Sequence, residues 1–113
     1  MSAQDNLSVA AFRAVLGTSK LQQPLGQHWS TDHNEPYEYI YSGVYGEKPP
    51  QGPHLIVEAQ ANPHDDMPNE WSDARKPLVL KPGSTVKVNQ VTTVTPGKRQ
   101  RTRRYNPPRE MKA

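Results

Sequence analysis

The stretch PLVLKPGSTVKVNQVTTVT, residues 77–95, holds the clearest indication of the fold, because a short apolar run and a longer run rich in valine and threonine flank a turn. Residues 81–84, KPGS, have the composition of a tight turn. Valine and threonine favour strands, and Val86 and Val88 have the spacing of two that places side chains on one face of a strand. The sequence therefore predicts strands over 77–80 and 85–95. One face of the second strand is predicted to carry Val86, Val88, Thr92 and Val94.

Two further strands are predicted upstream. Residues 37–45 read YEYIYSGVY, with tyrosines at spacings of two or a multiple of two, and aromatic residues favour strands. An apolar run at 55–57 lies within a predicted strand over 54–60. Strands separated by turn signals, without helical patterns between them, predict a mainly β fold. We expect a small antiparallel sheet or sandwich, or a partial barrel, with long loops.

One short helix is predicted near the N-terminus, over residues 5–16. Its apolar face would be formed by Leu7, Ala10, Ala11, Ala14 and Val15, at helical spacing. Gly17 lies where a left-handed residue would end the helix. The predicted organisation is thus a helical N-terminal arm (1–17), a small β domain with long loops (18–96) and an extended basic tail (97–113).

Composition limits the classes of function. The 113 residues are 33% hydrophobic, so one small domain with a small core is expected. The absence of cysteine excludes disulfides, thiolate metal ligands and cysteine nucleophiles. There is no apolar stretch of about 18 residues and no pattern of a secretory signal. We expect a protein of a virion or a cytoplasmic assembly, neither transmembrane nor secreted through a signal peptide.

Charge is divided unevenly along the chain. Residues 98–113 carry seven basic side chains and one acid, a net charge of +6, whereas residues 1–97 carry seven basic and ten acidic side chains, a net charge of −3. A cationic segment on an acidic body predicts an anionic partner, either nucleic-acid phosphate or an acidic groove of a neighbouring subunit. The predicted binding residues are Lys98, Arg99, Arg101, Arg103, Arg104, Tyr105 and Arg109. Without a rigid platform, we expect them to bind through charge and not to read base sequence.

A metal site is indicated only by a resemblance. Residues 33–43 resemble the first motif of the cupins, in which two histidines separated by one residue precede a glutamate and a glycine. In that family the motif holds a divalent metal in a β-barrel. The candidate ligands are His28, His33 and His54, which could meet near Glu38. Thr31 stands at the position of the paired histidine, so we predict neither a metal nor a cofactor.

No motif predicts catalysis. The sequence contains neither the Gly-x-Ser-x-Gly elbow of a serine nucleophile nor a glycine-rich phosphate loop. Four clustered acids are interpreted as a solvated loop or as a docking patch for a basic segment: Asp65, Asp66, Glu70 and Asp73. We therefore predict no catalytic residue and no enzymatic activity.

These features together predict a structural or assembly protein of a large complex. Small size, a small β core, long loops and charged ends resemble, in architecture, the minor capsid, cement or connector subunits of virus and phage particles. The expected partners are neighbouring subunits of a homo- or hetero-oligomer, with nucleic-acid phosphate as a second partner of the tail. One alternative is a nucleic-acid-binding accessory protein that uses the arginine-rich tail. Another is a cupin-like metal-binding protein.

Overall fold

The described part of the chain forms one antiparallel sheet with one α-helix. A computed structural model describes residues 8–43, 47–48, 51–67 and 77–113. The elements are β1 (Val9–Val15), β2 (His28–Ser30), α1 (Glu35–Ser42), β3 (His54–Ala61), β4 (Pro77–Val79), β5 (Thr85–Val94) and β6 (Arg101–Lys112), with a 3-10 turn at Pro63–Asp65. The strand order is β4-β2-β1-β3-β5-β6, with every pair antiparallel. The predicted mainly β fold is confirmed, as are three of the predicted strands, which correspond to β3, β4 and β5.

The predicted N-terminal helix is wrong where the structure describes it. Residues 9–15 form β1, which lies between β2 and β3 in the sheet. All seven residues of β1 pair with β3, from Val9 opposite Ala61 to Val15 opposite Leu55. A short apolar run fits the helical and the strand period equally well, and here the partner strand decides between them. Because Ala11 is fully buried, β1 belongs to the core.

The tyrosine-rich segment forms the helix of the fold instead of the predicted strand. Helix α1 has Glu35 and Pro36 in its first turn, where both residue types are favourable. Ile40 is buried and packs against Ile56 and Val94 on one face of the sheet. The end of the predicted strand, residues 44–46, lies outside the described residues. The alternating tyrosines therefore mark a helix that lies on the sheet.

A β-bulge in β5 changes which side chains share a face. The register between β3 and β5 shifts so that Asn89 is an extra residue in β5. Side chains alternate between faces, so one extra residue moves the rest of the strand to the opposite face. The predicted common face is therefore wrong, since Val86, Val88 and Val91 belong to the main core cluster and Val94 to the cluster beneath α1.

The sheet has two unequal faces. The helix face is the one on which α1 packs against β1 and β3. The opposite face, called here the core face, carries the main apolar cluster, which includes Trp29, Leu55 and Val57. Residues 17–25, called here the wall segment, lie over the core face and contribute the buried side chain of Leu25.

Arg13 fixes the end of the wall segment to the sheet. Its Nε donates a hydrogen bond to the Leu25 carbonyl at 2.7 Å, and its Nη1 donates to the His28 carbonyl at 2.7 Å. Burial lowers the pKa of the Arg13 guanidinium, because the charged form loses solvation. Gly26 lies directly against this guanidinium, with φ of +122°.

Replacing Gly26 by alanine is expected to lower the free energy of unfolding by about 2–4 kcal/mol. Alanine is strained at this φ, and its Cβ would overlap the Arg13 guanidinium. Gly83→Ala is the matched control, because Gly83 has a φ of +80° but an added Cβ there meets nothing within 4 Å. Chemical denaturation of both variants separates backbone strain from overlap. Equal losses of unfolding free energy in the two variants would contradict a cost from overlap with Arg13.

Candidate functional site

The basic C-terminal segment is an edge strand of the sheet. Strand β6 pairs with β5 at eight register positions, and Met111 and Ala113 are buried in the main core cluster. The predicted extended tail is therefore extended and basic, but it is hydrogen-bonded into the sheet and is not a free arm. The alternation of Met111 and Ala113 and the β-favouring Thr102 and Tyr105 are the sequence signals that mark this strand.

Pairing with β5 distributes the predicted binding residues over the two faces. Three arginines lie on the core face, opposite Val88, Val91 and Thr93 of β5: Arg101, Arg103 and Arg109. Arg104 lies on the helix face, the same side as Thr102, whose hydroxyl is 3.0 Å from that of Thr92. Lys98 and Arg99 precede β6 in the exposed turn after β5. The structure therefore brings together three of the six predicted cations.

The three core-face arginines line a groove between the wall segment and the β5–β6 edge of the sheet. Its volume is about 500 Å³, and its floor includes Leu55 and Val91. We call it the basic groove and define it by Lys20, Arg101, Arg103, Tyr105 and Arg109, all of which line it. Lys20 comes from the wall segment and was not among the predicted site residues.

The basic groove is uniformly positive in the part of the chain that the structure describes. No carboxylate lines it, and its cations have no ion-pair partner among the described residues. The Arg103 guanidinium lies over the Tyr105 ring, with its central carbon 5.2 Å from the ring centroid, which is a cation–π contact. Clustered charges of one sign in a concave site concentrate counter-ions. The arrangement therefore favours an anionic ligand.

The wall segment is held in place at both ends. At its start, the Gly17 N–H donates to Nδ1 of the buried His54 at 2.8 Å. At its end, the Leu25 N–H donates to the Lys112 carbonyl at 2.9 Å, and the Lys112 N–H donates to the Gln23 Oε1 at 2.8 Å. These bonds join the wall segment to β3 and β6.

The histidines considered as metal ligands are not brought together. His28 and His33 are exposed, His33 against the ring of Phe12, while His54 is buried in the core. Nε2 of His54 has no hydrogen-bond partner in the described part of the molecule. Within the same residues, no three His, Asp or Glu side chains could share a metal ion. The cupin resemblance implies a strand after His33, and α1 occupies that position.

The acidic and hydroxyl groups near α1 and β4 have structural contacts. Glu35 accepts hydrogen bonds from the Ser30 hydroxyl at 2.7 Å and from the Tyr39 hydroxyl at 2.8 Å, which joins β2 to α1. Asp66 Oδ1 accepts from the Val79 N–H at 2.9 Å. The remaining acids of the predicted cluster, Glu70 and Asp73, lie outside the described residues.

Comparisons with protein-family models, curated proteins and solved structures find no match to this chain. In the described ranges, no helix has the length and apolar character needed to cross a membrane. Strand β6 and the basic groove are the features of the described residues that bear on function.

Proposed function

We propose that this protein is a non-enzymatic structural or assembly protein, attached to a larger complex through strand β6. The observation that carries the proposal is the concentration of basic side chains on this edge strand, where five of twelve residues are Arg or Lys. A virus or phage particle is the complex that we favour, with the protein as a minor capsid, cement or connector subunit. Neighbouring subunits and, through β6, the phosphate backbone of nucleic acid are its proposed partners.

Edge protection alone does not account for the pattern. Edge strands often carry charges and prolines that prevent unwanted pairing with other strands, and Pro107 and Pro108 fit this role. Protection requires no particular arrangement of the charges. In β6, three arginines line one groove together with Lys20. Among the described residues, no carboxylate lines this groove or forms an ion pair with these cations. This convergence supports a binding role.

Replacing Arg101, Arg103 and Arg104 with glutamine is expected to reduce incorporation into the complex at least tenfold. These side chains are exposed, so the fold should be retained. The matched control is Lys48→Gln, Lys81→Gln and Lys87→Gln, which removes the same charge from exposed positions outside β6. Incorporation is measured by co-sedimentation of the tagged full chain with its native complex. Equal incorporation of the two triple variants would contradict attachment through β6.

A nucleic-acid-binding accessory protein is the second candidate, and the contact between Arg103 and Tyr105 favours it. Aromatic and arginine side chains are the common stacking partners of unpaired bases. Salt extraction distinguishes the two candidates. A structural subunit has many contacts with its neighbours and should stay in the complex at high salt, whereas an accessory protein bound through phosphate contacts should be released.

A further inference from the structure

We infer that the basic groove is a binding site for single-stranded nucleic acid, with phosphates bound by its cations and a base stacked at Tyr105. The inference rests on the proposed function, because it names the partner that β6 meets in the complex. Four cations and one aromatic ring carry it: Lys20, Arg101, Arg103, Arg109 and Tyr105.

The cations are arranged as a track. Arg101 and Arg103 are two residues apart on the same face of β6, about 6.7 Å along the strand, and Lys20 faces them from the wall segment. A single small anion needs all of its donors within hydrogen-bond reach of one point. A row of separated charges matches a polymer with a repeating charge, such as a phosphodiester chain.

Tyr105 adds an aromatic surface on which a base can stack, which a purely electrostatic site lacks. Its ring is half-buried, lines the groove and is contacted by the Arg103 guanidinium. Proteins that bind single strands combine a positive groove with aromatic rings on which bases stack. A base that takes the place of Arg103 on this ring would leave the guanidinium free to bind a phosphate.

A site that stacks a base on Tyr105 favours a single strand over a duplex. A volume of about 500 Å³ is within the usual range for pockets that hold a small ligand. The bases of a double helix are paired and stacked, so they are unavailable to Tyr105. An unpaired strand can place one base in the groove while its backbone follows β6.

An acidic protein segment fits the same edge less well. A partner strand would need free backbone donors and acceptors along β6. Pro107 and Pro108 have no N–H group, and the Lys112 carbonyl already accepts from the Leu25 N–H. A ligand is therefore recognised by the basic side chains of β6. These side chains favour a polymer that carries its negative charges in its backbone.

The test is binding of the full chain to a fluorescent oligo(dT) of about 12 nucleotides, the scale of a single-domain site. The groove variant is Arg101→Gln with Arg103→Gln. Its matched control is Arg104→Gln with Lys87→Gln, which removes the same charge from exposed positions on the helix face. We expect the groove variant to weaken binding at least tenfold and the control less than threefold. The slope of log K against log salt should become less negative by about 1.4 in the groove variant, at about 0.7 per lost phosphate contact.

Tyr105→Leu should weaken binding by about tenfold without changing the salt slope, because it removes stacking and no charge. Thermal melts of each variant confirm that the fold is retained. Equal losses in the groove and helix-face variants, or displacement of the oligonucleotide by polyglutamate with no effect of Tyr105→Leu, would overturn the inference. If the wild type does not bind oligo(dT) while the groove variant is still lost from the native complex, the inference fails and the proposed function stands.

Discussion

Truncation of the chain after Gly97 is expected to abolish cooperative folding. It removes β6, which pairs with β5 at eight positions, together with the buried Met111 and Ala113. The backbone of β5 would lose its partner, and the apolar side chains beside Met111 would be exposed. Removing one large buried side chain costs about 2–5 kcal/mol, and losing a whole strand exceeds the typical net stability of a small domain, about 5–15 kcal/mol.

Far-UV circular dichroism during heating measures the effect of the truncation. The matched control keeps the strand and removes its charge, with Arg101→Thr, Arg103→Thr and Arg104→Thr in the full chain. These side chains are exposed and threonine favours strands, so the control should melt cooperatively. A truncated chain that melts within about 5 °C of the wild type, a difference of roughly 1 kcal/mol, would show that β6 is not part of the cooperative unit.

Trp29→Ala is expected to be the most destabilising single substitution, by about 3–5 kcal/mol. Trp29 is 3% exposed in the main core cluster and lies opposite Leu78 of β4. Its Nε1 donates a hydrogen bond to the Gly26 carbonyl at 2.8 Å. The substitution leaves a large cavity and removes the partner of that carbonyl.

Guanidinium chloride denaturation, with two controls, separates these contributions. Trp29→Phe keeps an aromatic ring and loses the hydrogen bond, so a smaller loss of about 1–2 kcal/mol is expected. Tyr41→Ala removes an aromatic ring that is 58% exposed, and should change stability by less than about 0.5 kcal/mol. A loss for Trp29→Ala no larger than that for Tyr41→Ala would contradict the position of Trp29 in the core.

The strands that could be predicted from the sequence are those with a strong local signal. β5 is long and rich in valine and threonine, and β3 and β4 are short apolar runs next to turn residues. Local propensity and burial favour the same conformation in these segments. The fold class therefore follows from the sequence alone.

The exchange of helix and strand between β1 and α1 could not be predicted, because it depends on partners far away in the sequence. β1 is a strand because β3 pairs with it along its whole length. α1 packs its buried Ile40 against Ile56 and Val94, which belong to strands later in the sequence. The bulge at Asn89 is likewise visible only when β5 is aligned with its neighbours.

Part of the candidate site could be predicted from charge. The predicted binding set contained Arg101, Arg103, Tyr105 and Arg109, all of which line the basic groove. Lys20 could not be included, since no local pattern brings the wall segment next to β6. Arg104 lies on the opposite face of the sheet from Arg101, Arg103 and Arg109, and this could be known only from the register of β6 with β5. The charge of the C-terminal segment predicts an anionic partner, but the residues that form the basic groove can be identified only from the fold.

The connection between Gln23 and Lys112 also has a consequence for when the protein becomes able to bind. These two residues are 89 positions apart, and their hydrogen bond joins the wall segment to β6. Sheets built from such distant contacts form slowly, typically in milliseconds to seconds. Until β6 joins the sheet, its arginines form a flexible cationic segment that attracts any polyanion. We therefore expect discrimination between ligands to arise only late in folding, when the two ends of the sequence have met.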